Sequence, residues 1–175
     1  MTKLLENDTI LLRALEPDDL ELLYRWENDT ELWKFGAGMA PFSRFALRQY
    51  IIDAQQDIYH TKQLRLMVVR KTDGVCVGTV DLYDFDAFNG KAGVGILIDT
   101  DHQQKGYGVS ALALLEEYAF GFLKLHQLYA FVPEENAGSV KLFAKAGFRR
   151  TATLNEWLSS GKNYRDVVVM QKFGI

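Results

Sequence analysis

A chain of 175 residues is long enough for a substantial core, and residues 1–175 are expected to form one domain. Charged residues make up 25% and apolar residues 48%, a globular balance that excludes a disordered or fibrous chain. The net charge of −3 argues against nucleic acid as a partner, and no apolar run reaches the ~20 residues of a membrane span. Cys76 is the single cysteine, so no intrachain disulfide can form. With no signal-peptide core at the start, a reducing, cytoplasmic location is expected. His60, His102 and His126 are scattered without metal-ligand spacing, so no metal site is expected.

In chain order, residues 9–13 read as a first strand. Glu16-Pro17-Asp18-Asp19 then opens a helix, with Leu20, Leu23, Tyr24 and Trp26 as its apolar side. Residues 33–42 are irregular and hold Gly36, Gly38 and Pro41. A second helix is expected over 43–56, burying Phe45, Leu47, Tyr50, Ile51 and Ala54. Strands follow at 64–70, 75–84 and 92–99, separated by turns at Lys71-Thr72-Asp73-Gly74 and Asn89-Gly90. Cys76, between valines, reads as a small core residue. A long helix is expected over 107–122, with Leu112, Leu115, Ala119 and Phe122 at helical spacing. Residues 128–132 form a strand. Asn136 caps a short helix over 137–146 that Gly147 ends, and 148–157 with 165–173 close as a hairpin. The order β-α-α-β-β-β-α-β-α-β-β is α+β, mostly antiparallel, with one parallel contact across the long helix.

The informative stretch lies between the strand residues Ile96, Leu97, Ile98 and the long helix. Gly106 and Gly108 let a ligand approach the backbone. The leading N–H groups of the helix lack internal partners and carry its positive dipole end, a ready site for phosphate. The stretch lacks the Gly-Lys-Ser/Thr of a P-loop, and Ala111 breaks a dinucleotide fingerprint.

Gln103-x-x-Gly106-x-Gly108 resembles the pyrophosphate loop of the GCN5-related N-acetyltransferases (GNAT). Asn136-x-x-Ser139, Leu142-Phe143 and Ala146-Gly147-Phe148 resemble the next motif of that superfamily. Gly161-x-x-Tyr164-Arg165-Asp166, with Val168 and Met170, is similar to the terminal signature of two branches, the ribosomal-protein N-terminal acetyltransferases and the spermidine/diamine acetyltransferases. The resemblance runs from Leu11-Arg13 onward. It implies a mixed central sheet with flanking helices and a V-shaped splay between the strands around 92–99 and 128–132, filled by the pantetheine arm of acetyl-CoA.

What the resemblance implies for the site follows residue by residue. Backbone groups of Ile96, Leu97 and Ile98 would hold the thioester oxygen and pantetheine. Gln103, Gln104, Lys105, Gly106, Tyr107, Gly108 and Val109 would hold the pyrophosphate, and Asn136, Ser139, Phe143 and Lys145 would also face the cofactor. Ser139 falls where the ribosomal-protein branch places its acid, and Glu156 close to its base. Asp81 and Asp84, with Asp86 after them, are candidates for holding a cationic amine. The expected function is direct transfer of an acetyl group to a primary amine, a protein N-terminus or a small amine, in a ternary complex. No nucleic acid or membrane takes part, and a homo-oligomer is allowed.

Several residues depart from the polyamine branch. Phe143 stands where that branch has a tyrosine proton donor. Gly38-Met39-Ala40 replaces an acidic pair before Pro41, and Gly93 replaces a glutamate. These differences weigh against spermidine, though a polyamine acetyltransferase stays an alternative. Phe143 also leaves open a catalytically weak, acetyl-CoA-binding regulatory protein.

Overall fold

The structure, a computed structural model, describes residues 3–35 and 38–175. Gly36, expected in the irregular segment, lies outside the described residues. Seven strands form one sheet in the order β1-β2-β3-β4-β5-β7-β6. They are β1 (Ile10–Ala14), β2 (Leu64–Arg70), β3 (Cys76–Asp86), β4 (Lys91–Ile98), β5 (Gln127–Pro133), β6 (Arg149–Ser159) and β7 (Tyr164–Phe173). Every neighbouring pair is antiparallel except β4 and β5. The helices are α1 (Leu20–Glu27), α2 (Thr30–Trp33), α3 (Arg44–Asp53), α4 (Ile58–Thr61), α5 (Tyr107–Glu116) and α6 (Ala137–Lys145).

Period-two alternation divides the sheet between two cores. On one face, Leu66, Val68, Val80, Leu82, Ala92, Val94, Leu128 and Ala130 pack with Leu112 and Leu115 of α5 and Phe143 of α6. On the other, Met67, Val69 and Leu97 pack with Leu23 and Trp26 of α1 and Leu47 and Ile51 of α3.

Three expectations change. Phe45 is 76% exposed, not buried. Leu47 and Ile51 sit four apart on the sheet side of α3, and Phe45, two residues before Leu47, points away from it. The long helix is α only to Glu116; Glu117–Phe122 widen into a π turn, closed by Leu123 N–H on the Tyr118 carbonyl at 2.9 Å. The extra residue per turn rotates Phe122 outward, to 63% exposure, stacked on Tyr118 at 5.4 Å. Two short helices, α2 and α4, were not expected. Each is capped by an aspartate, Asp29 accepting from the Glu31 N–H and Asp57 from the His60 N–H.

The parting of β4 from β5 positions the site. They pair in parallel only at Lys91↔Gln127, Ala92↔Leu128 and Gly93↔Tyr129. Beyond that, β4 stays on β3 as far as Ile98↔Gly78, and β5 stays on β7 as far as Pro133↔Val167. Each strand follows its own antiparallel partner, so a V opens between residues 94–98 and 130–133.

Candidate active site

At the wide end of the V, β4 runs through a 3-10 turn, Thr100–His102, into α5. Gln104 has φ +60 and Gly106 has φ +83; the latter is the N-cap of α5 and provides no side-chain cap. A left-handed cap falls naturally to glycine, and it leaves the leading N–H groups of the helix facing outward. Gln103, Gln104, Lys105 and Gly106 are exposed, and Tyr107, Gly108 and Val109 half-buried. The turn is braced from below, with Gln103 Nε2 donating to the Ile98 carbonyl at 3.0 Å and Lys105 Nζ to the Asp101 carbonyl at 3.1 Å. The rim is bare of side chains at Gly106 and carries the positive end of the α5 dipole.

Gly108 has a second role. A Cβ there would lie 3.0 Å from Leu142 Cδ1, so the glycine lets α6 pack against the first turn of α5. This contact brings α6 to the turn. Asn136 caps α6, its Oδ1 accepting from the Ser139 N–H at 3.2 Å. Ser139 and Phe143 share one helix face four residues apart. Phe143 is 3% exposed and meets Phe148 edge-on at 5.1 Å, which makes it core. Ser139 is half-buried on the same face, whereas Lys145 is exposed in the last turn, at the opposite end of α6 from Asn136.

Alternation along β4 turns Ala92, Val94 and Ile96 toward α5, and Gly93, Gly95 and Leu97 toward α1 and α3. Gly95 leaves that second face bare, whereas the space beside Gly93 is filled. A Cβ on Gly93 would come within 2.3 Å of the Tyr83 ring, which therefore lies directly over the strand. Tyr83 pairs with Gly93, the last β4 residue joined to β5, so its phenol marks the apex of the V. The ring meets Tyr129 edge-on at 6.2 Å, and Tyr129 meets Phe131 at 5.4 Å. Burial, with Tyr129 and Asp84 nearby, pushes the Tyr83 phenol up to about 12. It is neutral at neutral pH and able to donate. Sequence reading missed it, because a tyrosine in a strand carries no motif.

The candidate carboxylates separate. Asp81 lies under Gly95, its Cβ 3.6 Å from where a Cβ on that glycine would stand. It is already paired, with Arg65 Nε and Nη2 donating to Oδ1 and Oδ2, both at 2.8 Å. Arg65 Nη1 also donates to Glu27 of α1 at 2.6 Å. Asp84 is exposed at φ +47, where the β3 register shifts at the closed end of the V. Asp86 is spent on the turn, accepting from Asn89 N and Nδ2 at 2.9 and 2.7 Å. Glu156 is exposed at φ +50 in a β6 bulge, and its N–H donates to Asp166 Oδ1 at 2.8 Å. Strands β4, β5 and β7 stand between β3 and β6. At the usual ~4.8 Å spacing that is about 19 Å, so Glu156 does not join Asp81 or Asp84.

Two concavities flank the open end of the V. One of about 190 Å³ is lined by Arg25, Trp26, Leu32, Leu97 and Asp99, among others. There Asp99 Oδ2 accepts from Arg25 Nη2 at 2.6 Å and Trp26 Nε1 at 3.0 Å, tying α1 to the strand end that leads into α5. Burial would raise the Asp99 carboxyl, but the Trp26 N–H, the Asp101 amide and Arg25 hold it below its ordinary value. The other, about 430 Å³, lies among Glu134, Glu135, Tyr164, Arg165 and Asp166, so the terminal signature stands at the far lip of the V. Among the described residues, no group of three or more His, Cys, Asp and Glu could hold a metal ion, and no helix is long and apolar enough to cross a membrane.

Residues 9–149 match the family model described as the acetyltransferase (GNAT) domain. The chain is 27% identical over 165 residues to spermidine N(1)-acetyltransferase from Vibrio cholerae, covering 92% of this chain and 91% of that protein. It is 30% identical over 154 residues to the probable N-acetyltransferase YjcK of Bacillus subtilis, covering 84% of each. A crystal structure of spermidine N-acetyltransferase from Vibrio cholerae, in complex with CoA and spermine, is similar with a TM-score of 0.86. It is 26% identical, over 95% of this chain and 96% of that one. The bare helix start, the parted strands and these matches agree: the chain belongs to the GNAT family and is an N-acetyltransferase that takes its acetyl group from acetyl-CoA.

Proposed function

We propose that the protein acetylates a primary amine by direct attack on acetyl-CoA held in the V. The parting of β4 and β5 just after Gly93↔Tyr129 carries this reading, because it frees backbone donors and acceptors along 94–98 and 130–133 for a pantetheine arm. The pyrophosphate would rest on residues 103–109, against the outward N–H groups of α5. Leu97 faces β3, where it pairs with Thr79, so the outward N–H groups of Ile96 and Ile98 would meet the negative charge that develops on the thioester oxygen. Cofactor on the α5 and α6 face leaves the α1 and α3 face, bare at Gly95, for the amine.

A neutral amine nitrogen attacks the carbonyl carbon, the C–S bond breaks, and the thiolate takes a proton. Ser139, on the α6 face toward α5, would hydrogen-bond the sulfur or relay a proton from water. The amine proton would pass to solvent at the open end, since Glu156 lies across the V on β6. A polyamine acceptor is the second reading, favoured by the likeness to the Vibrio cholerae enzyme. Thiol release from acetyl-CoA over a panel of monoamines, dipeptides, aminoglycosides and polyamines tests the proposal. Release with at least one amine is expected, and none with any would overturn it.

A further inference from the structure

On the acceptor face, two carboxylates and one guanidinium form a compact group. Arg65 from β2 grips Asp81 of β3 with two parallel bonds and Glu27 of α1 with a third, all between 2.6 and 2.8 Å. The Arg65 guanidinium also lies 5.4 Å from the Tyr50 ring of α3. The three side chains keep 17%, 14% and 23% of their surface for Arg65, Asp81 and Glu27, so solvent reaches the group. Asp81 pairs across the sheet with Gly95, which carries no side chain to wall it off from the V. Two negative charges and one positive leave a single negative charge there.

A planar, five-donor guanidinium satisfies both carboxylates where a bound ammonium would otherwise have to do so. We infer that Arg65 is a specificity-determining residue, a built-in cation that occupies the carboxylates of the acceptor face and so selects amines with one amino group over polyamines. This rests on the proposed placement of the acceptor on the α1 and α3 face. A polyamine offers its reacting amine neutral but needs carboxylates for its remaining ammonium groups. While Arg65 holds them, both Asp81 oxygens and one Glu27 oxygen are occupied, and the group offers an ammonium one net negative charge in place of two. A monoamine or peptide N-terminus has no such need.

The test compares n-butylamine, alanyl-alanine and spermidine as acceptors for the wild type and Arg65→Ala, at saturating acetyl-CoA. Wild type is expected to show a spermidine KM about tenfold or more above that of its better one-amine acceptor. Arg65→Ala should lower the spermidine KM about tenfold and move the one-amine KM by less than about threefold. Equal shifts for both kinds of amine, or a wild-type spermidine KM already as low as the one-amine value, overturn the inference. A thermal arm reads Arg65 without turnover. Spermidine should raise the Tm of Arg65→Ala, and not that of the wild type or of Arg65→Ala combined with Asp81→Asn. The same rise in all three overturns the inference, as does none in any. Arg65→Gln, which keeps a hydrogen-bonding end, replaces Arg65→Ala if the latter does not fold. Absence of thiol release with every amine strikes the proposed acetylation of amines, while the thermal arm still decides for or against Arg65.

Discussion

Asp19, with 4% of its side chain exposed, accepts both arms of Arg13 at 2.8 and 2.9 Å and the Glu16 N–H at 2.8 Å. Burial works to raise its carboxyl, but the Arg13 bonds and the Glu16 amide outweigh it, so the folded pKa lies below the ordinary 3.8. Stability from this group is therefore complete above the unfolded value. It is lost as the pH falls below about 4 and through the folded value. Asp19→Ala takes away the carboxylate that Arg13 grips, leaving its guanidinium on the Ala14 carbonyl and Cys76 Sγ, and should cost about 3 kcal/mol in urea unfolding at pH 7, with the difference from wild type shrinking in acid. At the site, Ser139→Ala should lower kcat by about 10²–10⁴-fold if the hydroxyl serves the leaving sulfur. An unchanged kcat with chemistry rate-limiting would leave water as the donor. Phe143→Tyr puts a hydroxyl beside Phe148 in the core and should lower Tm, since a buried hydroxyl without a partner costs about 1–3 kcal/mol.

The junction of β4 with α5 combines two demands on one short segment. It must turn sharply, which Gly106 does at φ +83, and it must admit α6, which Gly108 does by lacking a Cβ that would stand 3.0 Å from Leu142. A bulky residue at 108 would thus disturb packing as well as the phosphate rim, which makes it a poor probe of binding alone. Lys105 is the cleaner probe, since it is exposed and bonded only to the Asp101 carbonyl. Lys105→Glu should weaken acetyl-CoA binding about tenfold by calorimetry while leaving Tm nearly unchanged. Equal affinity would move the pyrophosphate off this turn. On β4, Gly93→Ala forces the Tyr83 ring aside from a 2.3 Å approach, and should lower both Tm and kcat.

Across the whole molecule, the sheet is two antiparallel blocks joined by a short parallel seam. The block β1 to β4 is covered by α1 and α3 on one face and α5 on the other, and the block β5-β7-β6 carries the second wall of the V. Ligand in the V should bridge the blocks. Acetyl-CoA is therefore expected to slow amide hydrogen exchange at 94–98 and 130–133 and to raise Tm, with little change at β1. Protection confined to α1 and α3 would place the ligand elsewhere.

The strands and the turn from β4 into α5 were legible because their signals are local. A loosely alternating but strongly apolar run marked Leu64–Arg70 with its observed bounds, and Gln103-x-x-Gly106-x-Gly108 marked the strand-to-helix turn within six residues. The small helices at Thr30–Trp33 and Ile58–Thr61 had a weaker local signal, a capping aspartate each, which is common outside helices as well. The sequence alone thus determined the order of the strands and longer helices, the family resemblance and the donor's chemistry. Tertiary structure decided how each carboxylate is used. Arg65 lies 16 residues from Asp81 and 38 from Glu27, and only sheet pairing and the docking of α1 bring the three together. It likewise set the length of the β4–β5 seam and put Tyr83 at its end, because where two strands part depends on the partners that draw them apart. A side chain's charge can be read from its letter; whether that charge is free or already neutralised depends on neighbours that only the fold supplies.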